Sequence, residues 1–170
     1  MNFRYDLMKT PVGELAVVVD EENRLRHVGF LKDNAPYGRH VSLAEDWKRA
    51  KDPGGLCTKL KKYFDGQLKS IDDLPIELEG TTFELKVWNA LRTIPCGETW
   101  SYAQLARAIG QPTATRAVGL ANGRNPIAIV VPCHRVIGAN GKLTGYGGGI
   151  HRKEWLLAHE GSLKQPHLPL

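Results

Sequence analysis

Hydrophobic positions along the first 80 residues fall into short runs of two different periods. Residues 14–19 and 24–30 are rich in β-forming side chains and flank Asp20-Glu-Glu-Asn23, a pattern that predicts a hairpin. Leu56, Leu60, Tyr63 and Phe64 recur at helical spacing between Gly54-Gly55 and Gly66, which predicts a helix. The stretch Ile71-Asp-Asp-Leu-Pro-Ile-Glu-Leu-Glu-Gly80 carries a proline and ends on glycine, so it reads as an extended connector. A boundary near Gly80 separates this small α+β unit from the rest.

Beyond Gly80 the period is helical. Thr81 and Glu84 have capping-box spacing, and Phe83, Val87, Trp88 and Leu91 form one apolar face, with Pro95 and Gly97 stopping the helix. Ser101 and Gln104 repeat the box, Leu105, Ala106 and Ile109 supply the stripe, and Gly110 stands where the helix ends. Thr113 or Thr115 is placed to cap a further helix that packs back through Ala117, Val118 and Ala121, so residues 102–123 read as helix-turn-helix. The second of these helices offers a DNA major groove few long polar side chains, chiefly Arg116 and Asn122. Its small residues suit close approach to a narrow groove entered for shape, with Arg116 near the positive helix start. They suit a pair of tightly packed core helices as well.

Ile127-Ala-Ile-Val-Val131 is a continuous apolar run, which predicts a strand covered on both faces. Pro132 has no N–H to donate and predicts its end, leaving Cys133 and His134 at the edge of a rigid element. A cysteine so placed is a candidate nucleophile. An ordinary thiol, with a pKa of about 8.5, is mostly protonated at neutral pH and needs a base. His134 is adjacent, yet in extended backbone it does not easily touch the Cys133 sulfur. Residues 152–159 predict a closing helix, with Trp155 and, in the earlier helix, Trp88 at core positions. Cys57 and Cys96 read as packing residues, and His151, His159 and His167 lack metal-ligand spacing, so no metal is expected.

Composition narrows the class. A chain of 170 residues, 42% hydrophobic, can bury a real core, and it contains no apolar run of membrane-spanning length and no signal-peptide core. Three widely spaced cysteines fit free thiols in a reducing compartment, so a cytoplasmic location is expected. The net charge of +5 is uneven: residues 1–95 carry 15 Lys or Arg against 15 Asp or Glu, and residues 96–170 carry 8 against 3. The excess lies in the half that holds Cys133, which suits a polyanion such as nucleic acid, or merely a solvated surface.

Ile129-Val-Val-Pro-Cys-His-Arg-Val136 joins three further stretches: Arg116-Ala-Val-Gly119 with Asn125-Pro126, Thr144-Gly-Tyr-Gly-Gly148, and Lys153-Glu-Trp-Leu-Leu157. Together these resemble the O6-alkylguanine-DNA alkyltransferase family, over nearly all of residues 81–161. The first 80 residues are similar more loosely to that family's N-terminal part, without a zinc-binding cysteine cluster. The resemblance implies an α+β architecture with a ribonuclease-H-like structural domain over 1–80. A mostly helical DNA-binding and alkyltransferase domain with a short active-site strand follows over 81–163, and 164–170 form a disordered tail.

It implies a chemistry as well. The family binds duplex DNA from the minor groove, flips out O6-alkylguanine, and O4-alkylthymine too, and moves the alkyl group irreversibly to a cysteine, here Cys133. His134 would act as base through a bridging water, with Glu160 orienting it. Tyr102 would crowd the 3′ phosphate and donate to the base N3, and Arg116 would fill the vacated stack, with Thr115, Ala117 and Arg135 as further DNA contacts. Asn125 corresponds to a hinge, the backbone of Cys133 and Val136 to readers of the guanine amine, and Tyr146 with Gly147 to a loop closing over the alkyl group. One departure is Gly147-Gly-Gly149, whose freedom implies a roomier pocket. The thioether product is not regenerated, so the protein acts once, as a monomer, with no cofactor. A cysteine hydrolase, which would turn over, a non-catalytic lesion binder and a plain helix-turn-helix regulator are the rival classes.

Overall fold

The computed structural model describes residues 1–31, 43–146 and 149–163. The fold is α+β, and its first half is built on a four-stranded sheet of order β3-β2-β1-β4. Strands β1 (Arg4–Thr10), β2 (Gly13–Val19) and β3 (Leu25–Phe30) are antiparallel neighbours, while the two-residue β4 (Lys48–Arg49) pairs parallel to β1. The hairpin expected at residues 20–23 is present. Asp20 closes it, its Oδ1 accepting from the backbone N–H groups of Glu22 and Arg24 at 3.1 and 2.9 Å. Strand β1 carried no sequence signal of its own, because its residues are mostly half-buried and mix charged with apolar side chains.

Helix α1 (Leu56–Phe64) buries Leu56, Cys57, Leu60, Tyr63 and Phe64 beneath the sheet's apolar side chains, the stripe read from its spacing. The connector then runs along the β3 edge. Leu25 donates to the Pro75 carbonyl at 2.8 Å and accepts from the Glu77 N–H at 2.9 Å. Further along the same edge, the Val28 N–H donates to Pro126 and its carbonyl accepts from Ala128, at 3.0 and 2.9 Å. The edge of the first sheet thus holds the chain that leads into Cys133.

Both predicted capping boxes exist. Thr81 and Glu84 exchange bonds at the start of α2 (Thr82–Leu91), and Ser101 and Gln104 do so at α3 (Tyr102–Ala108). Gly110, with φ +74°, follows α3 as expected. Helix α4 (Thr115–Gly123) departs from expectation at its start. Its N-cap is Ala114, with no side-chain cap bond, because a backbone turn from Gln111 to Ala114 at 2.9 Å leads the chain in and leaves Thr113 and Thr115 on the surface. Its packed face is Val118, Ala121 and Asn122, whereas Ala117 is exposed. Trp88 anchors α4 by donating its indole N–H to the Ala121 carbonyl at 2.8 Å.

The strand expected at residues 127–131 does not form. Only Ile127 bridges to Val28, after which the chain curls. The Val130 N–H donates to Ala128 across Ile129, which has φ +72°, and the Cys133 N–H donates to Val131 across Pro132, at 2.8 Å each. Pro132, with φ −84° and ψ 64°, centres an inverse γ-turn. A continuous apolar run signalled burial; Ile127, Ile129 and Val131 are fully buried and Ala128 and Val130 partly so, in a compact coil and not in a strand. A β-branched residue at positive φ is strained by about 1–3 kcal/mol and persists only where packing imposes it; Ile129 is fully buried. After a short 3-10 turn over Cys133–Arg135, β6 (Val136–Ile137) pairs parallel to β5 (Trp100–Ser101). Helix α5 (Ile150–His159) begins two residues before the expected start. One continuous core joins these elements, the exposed β4 apart. Among the described residues no helix is long and apolar enough to cross a membrane. The expected tail at 164–170, with His167, and residues Gly147 and Gly148 of the glycine loop lie outside the described residues.

Candidate active site

Cys133 sits on the 3-10 turn, almost entirely buried. Burial pushes its thiol pKa up, opposed by a hydrogen bond from the Asn125 side chain and by the charge of Lys153. Asn125 is itself rigidly held. Its Nδ2 donates to the Val131 carbonyl at 2.7 Å and its Oδ1 accepts from the Ile127 N–H at 3.0 Å, clasping both ends of the coil that precedes the cysteine. The residue read as a hinge is in this geometry a clasp. Asn122 adds a longer bond to the Cys133 carbonyl, 3.4 Å.

His134 has no solvent exposure. Its Nε2 lies 2.8 Å from Glu160 Oε1, while its Nδ1 is buried with no partner among the described residues. Only a protonated Nε2 satisfies a carboxylate that has nothing to donate, so the neutral ring presents a bare Nδ1 lone pair. Glu160 lies at the C-cap of α5 and not within the helix. Burial would raise its pKa, yet the charge His134 carries when protonated and the hydrogen bonds from Arg135 and His134 hold it well below the usual carboxylate range.

Arg135 corrects an expectation. Read as a DNA contact, it turns inward: Nε and Nη2 grip Glu160 at 2.9 Å each, and Nη1 donates to the Ile94 carbonyl at 2.7 Å. A buried carboxylate needs a buried cation, and the planar guanidinium fits it through two parallel bonds.

Lys153 is the most buried cation of the site. Its Nζ donates to the Val136 carbonyl at 2.5 Å and the Thr144 carbonyl at 2.9 Å, and burial brings its pKa down to about 8. These bonds pin β6 to the loop carrying Tyr146. Tyr146 is buried, its hydroxyl partnerless among the described residues, and burial and the nearby Cys133 raise its pKa well above the ordinary phenol value. Tyr102, at the first position of α3, donates to the same Thr144 carbonyl at 3.3 Å. Thr115, Arg116 and Ala117 line the exposed start of α4.

The fold therefore gathers Cys133, His134, Asn125, Val136, Tyr146 and Glu160 into one buried cluster with Tyr102 at its margin, and sets Thr115, Arg116 and Ala117 on the surface. Lys153 and Tyr63 were given no part in the site from the sequence. Each carried a signal, a lone lysine or phenol within an apolar helical stripe, where a polar tip demands a partner.

A thiol, an imidazole held by a carboxylate, and a helix pair with an exposed arginine define a class: proteins that bring a protected nucleophile to a nucleic acid. The model of the 6-O-methylguanine DNA methyltransferase ribonuclease-like domain matches residues 3–78, and that of the DNA binding domain of the same family matches residues 82–162. The chain belongs to the 6-O-methylguanine DNA methyltransferase family. It is 53% identical to the methylated-DNA–protein-cysteine methyltransferase of Shigella flexneri, over 91% of this chain and 93% of that protein. With the protein of the same name from Methanosarcina acetivorans it shares 48% identity, over 93% and 98%. The crystal structure of Mycobacterium tuberculosis OGT in complex with DNA superposes with a TM-score of 0.78 at 45% identity, over 95% of this chain and 94% of that one.

Proposed function

We propose that this protein repairs duplex DNA by transferring an alkyl group from O6 of guanine to the Cys133 sulfur, once per molecule. The observation that carries the reading is the buried His134, with Nε2 committed to Glu160 and Nδ1 left bare, next in sequence to a buried thiol. In the reaction, the Cys133 proton passes to Nδ1 through one bridging water. The sulfur attacks the alkyl carbon, the carbon–oxygen bond breaks, and its electron pair enters the guanine ring. The imidazolium formed is stabilised by Glu160, and the guanine regains the proton at nitrogen. Lys153 favours the thiolate by its charge, and Tyr102 donates to N3 as negative charge develops.

A stacked base cannot reach a buried thiol, so the lesion is extruded from the duplex, at a cost of a few kcal/mol that is lower for a poorly paired base. The exposed Arg116 is the side chain that occupies the vacancy, and its small neighbours let α4 approach the minor groove closely. Val136 and Tyr146 line the receiving site, and the same geometry accepts O4-alkylthymine. The lesion itself supplies the alkyl group, so the proposed transfer needs no cofactor. The test is mass spectrometry after incubation with a duplex carrying one O6-methylguanine. The expected result is one methyl on Cys133, saturating at one per protein, and none in Cys133→Ser. An unmodified wild-type protein overturns the reading.

A further inference from the structure

Tyr63 lies in the half of the chain expected only to support the site, yet its phenol reaches a residue of the site. It is fully buried on α1, on a face whose other members, Leu56, Cys57, Leu60 and Phe64, are packing groups. A hydroxyl buried there must find a partner. It donates to Oε2 of Glu160 at 2.8 Å, across 97 residues of sequence.

Glu160 thereby accepts four hydrogen bonds. His134 Nε2 and Arg135 Nε share Oε1, and Arg135 Nη2 and Tyr63 share Oε2. The ring of Tyr63 is tied down in turn. His159, immediately before Glu160, places Nε2 2.7 Å from the Tyr63 carbonyl, its ring stacks on Trp155 at 4.6 Å, and it meets Tyr63 edge-on at 5.2 Å. Helix α1 therefore grips the end of α5 at the residue that holds the candidate base. From this geometry we infer that Tyr63 is a positioning residue for alkyl transfer: it sets the orientation and the basicity of Glu160, and so couples the ribonuclease-like half to His134.

The inference rests on the proposed transfer chemistry. The groups facing Glu160 are His134 and Arg135 from the 3-10 turn, Tyr63 from α1 and the Cys96 thiol from the turn after α2. Removing the Tyr63 hydroxyl withdraws one donor from Oε2. The carboxylate then draws the His134 proton more strongly and stabilises the protonated imidazole, so a base that must be neutral is lost at higher pH. The acid limb of the rate profile moves to higher pH. Loss of an orienting partner at this remove costs on the order of tenfold in rate.

The experiment compares wild type, Tyr63→Phe and Leu60→Ala. Measurements are single-turnover transfer from an O6-methylguanine duplex across pH, affinity for an unmodified duplex, and thermal melting. Phenylalanine keeps the ring and its stacking and removes only the donor. Leu60 is buried on the same helix, so Leu60→Ala loosens α1 without touching Glu160. The expected result is a roughly tenfold slower transfer in Tyr63→Phe at neutral pH, an acid limb displaced upward and unchanged DNA affinity, with no displacement in Leu60→Ala. An unchanged profile in Tyr63→Phe, or an equal displacement in Leu60→Ala, overturns the inference. Wild-type protein that transfers nothing defeats the underlying reading instead, and is distinguished because no variant is needed to see it.

Discussion

Lys153 has the clearest pH consequence of any single residue. Burial lowers its pKa from the ordinary lysine value to about 8, so between roughly pH 8 and pH 10.5 the unfolded chain binds a proton that the folded chain has released. Stability contributed by this group therefore rises with pH through that window, the reverse of a lysine that gains an acidic partner. Below it, the charge favours the Cys133 thiolate. Lys153→Met keeps the length and removes the charge, and is expected to move the pH midpoint of Cys133 alkylation by a small electrophile upward. Peptide mass spectrometry across pH checks this, separating Cys133 from Cys57 and Cys96. A midpoint that stays put or falls contradicts an electrostatic role. The candidate nucleophile and base were legible at this scale, because an adjacent Cys-His after a proline is rare and chemically specific. The roles of Lys153 and Arg135 were not: whether a cation faces DNA or a carboxylate depends on where Glu160 arrives, 25 positions after Arg135.

At the scale of elements, the two capping boxes allow a controlled comparison. Thr81→Ala and Ser101→Ala each remove a side-chain acceptor at a helix start, and each is expected to cost about 1 kcal/mol. Their effects on transfer should differ. Ser101 immediately precedes Tyr102, whereas Thr81 stands at the start of α2, and that helix meets the site through its later residues such as Trp88. Denaturant unfolding is expected to show similar losses for the two variants, and single-turnover rates to fall in Ser101→Ala alone. Equal rates would mean that the start of α3 does not position Tyr102. Caps of this kind were read correctly from four-residue patterns because their physics is local. The coil over residues 127–131 was misread for the converse reason. Its burial was evident, but its shape is set by the Asn125 clasp and by Val28 on β3, neither of which periodicity reports.

For the whole molecule, the two halves share a core. Arg152 of α5 donates to the Val12 carbonyl at 2.6 Å and lies over the Phe30 ring at 4.2 Å, and Phe64 packs on Trp155 at 5.8 Å. A fragment beginning at Gly80 would expose these faces and strip Glu160 of Tyr63. It is expected to unfold with low cooperativity and well below the intact chain, as judged by circular dichroism and by calorimetry. A fragment that melts cooperatively near the intact protein would show the core to be divisible.

By itself the sequence determined the local and the chemical: helix starts at Thr81 and Ser101, the hairpin at Asp20, the helix-turn-helix, and a cysteine with its histidine in a basic half. Each of these depends on residues a few positions apart, or on a motif whose chemistry is carried by side-chain type. The tertiary structure alone decided how the site is supported. Arg135, Tyr63 and Lys153 are ordinary residues until the fold brings a carboxylate or a bare carbonyl against them. Burial of a polar group makes its partner obligatory, and that partner is fixed by contacts across 97 residues for Tyr63 and 140 for Arg152, separations no local pattern encodes.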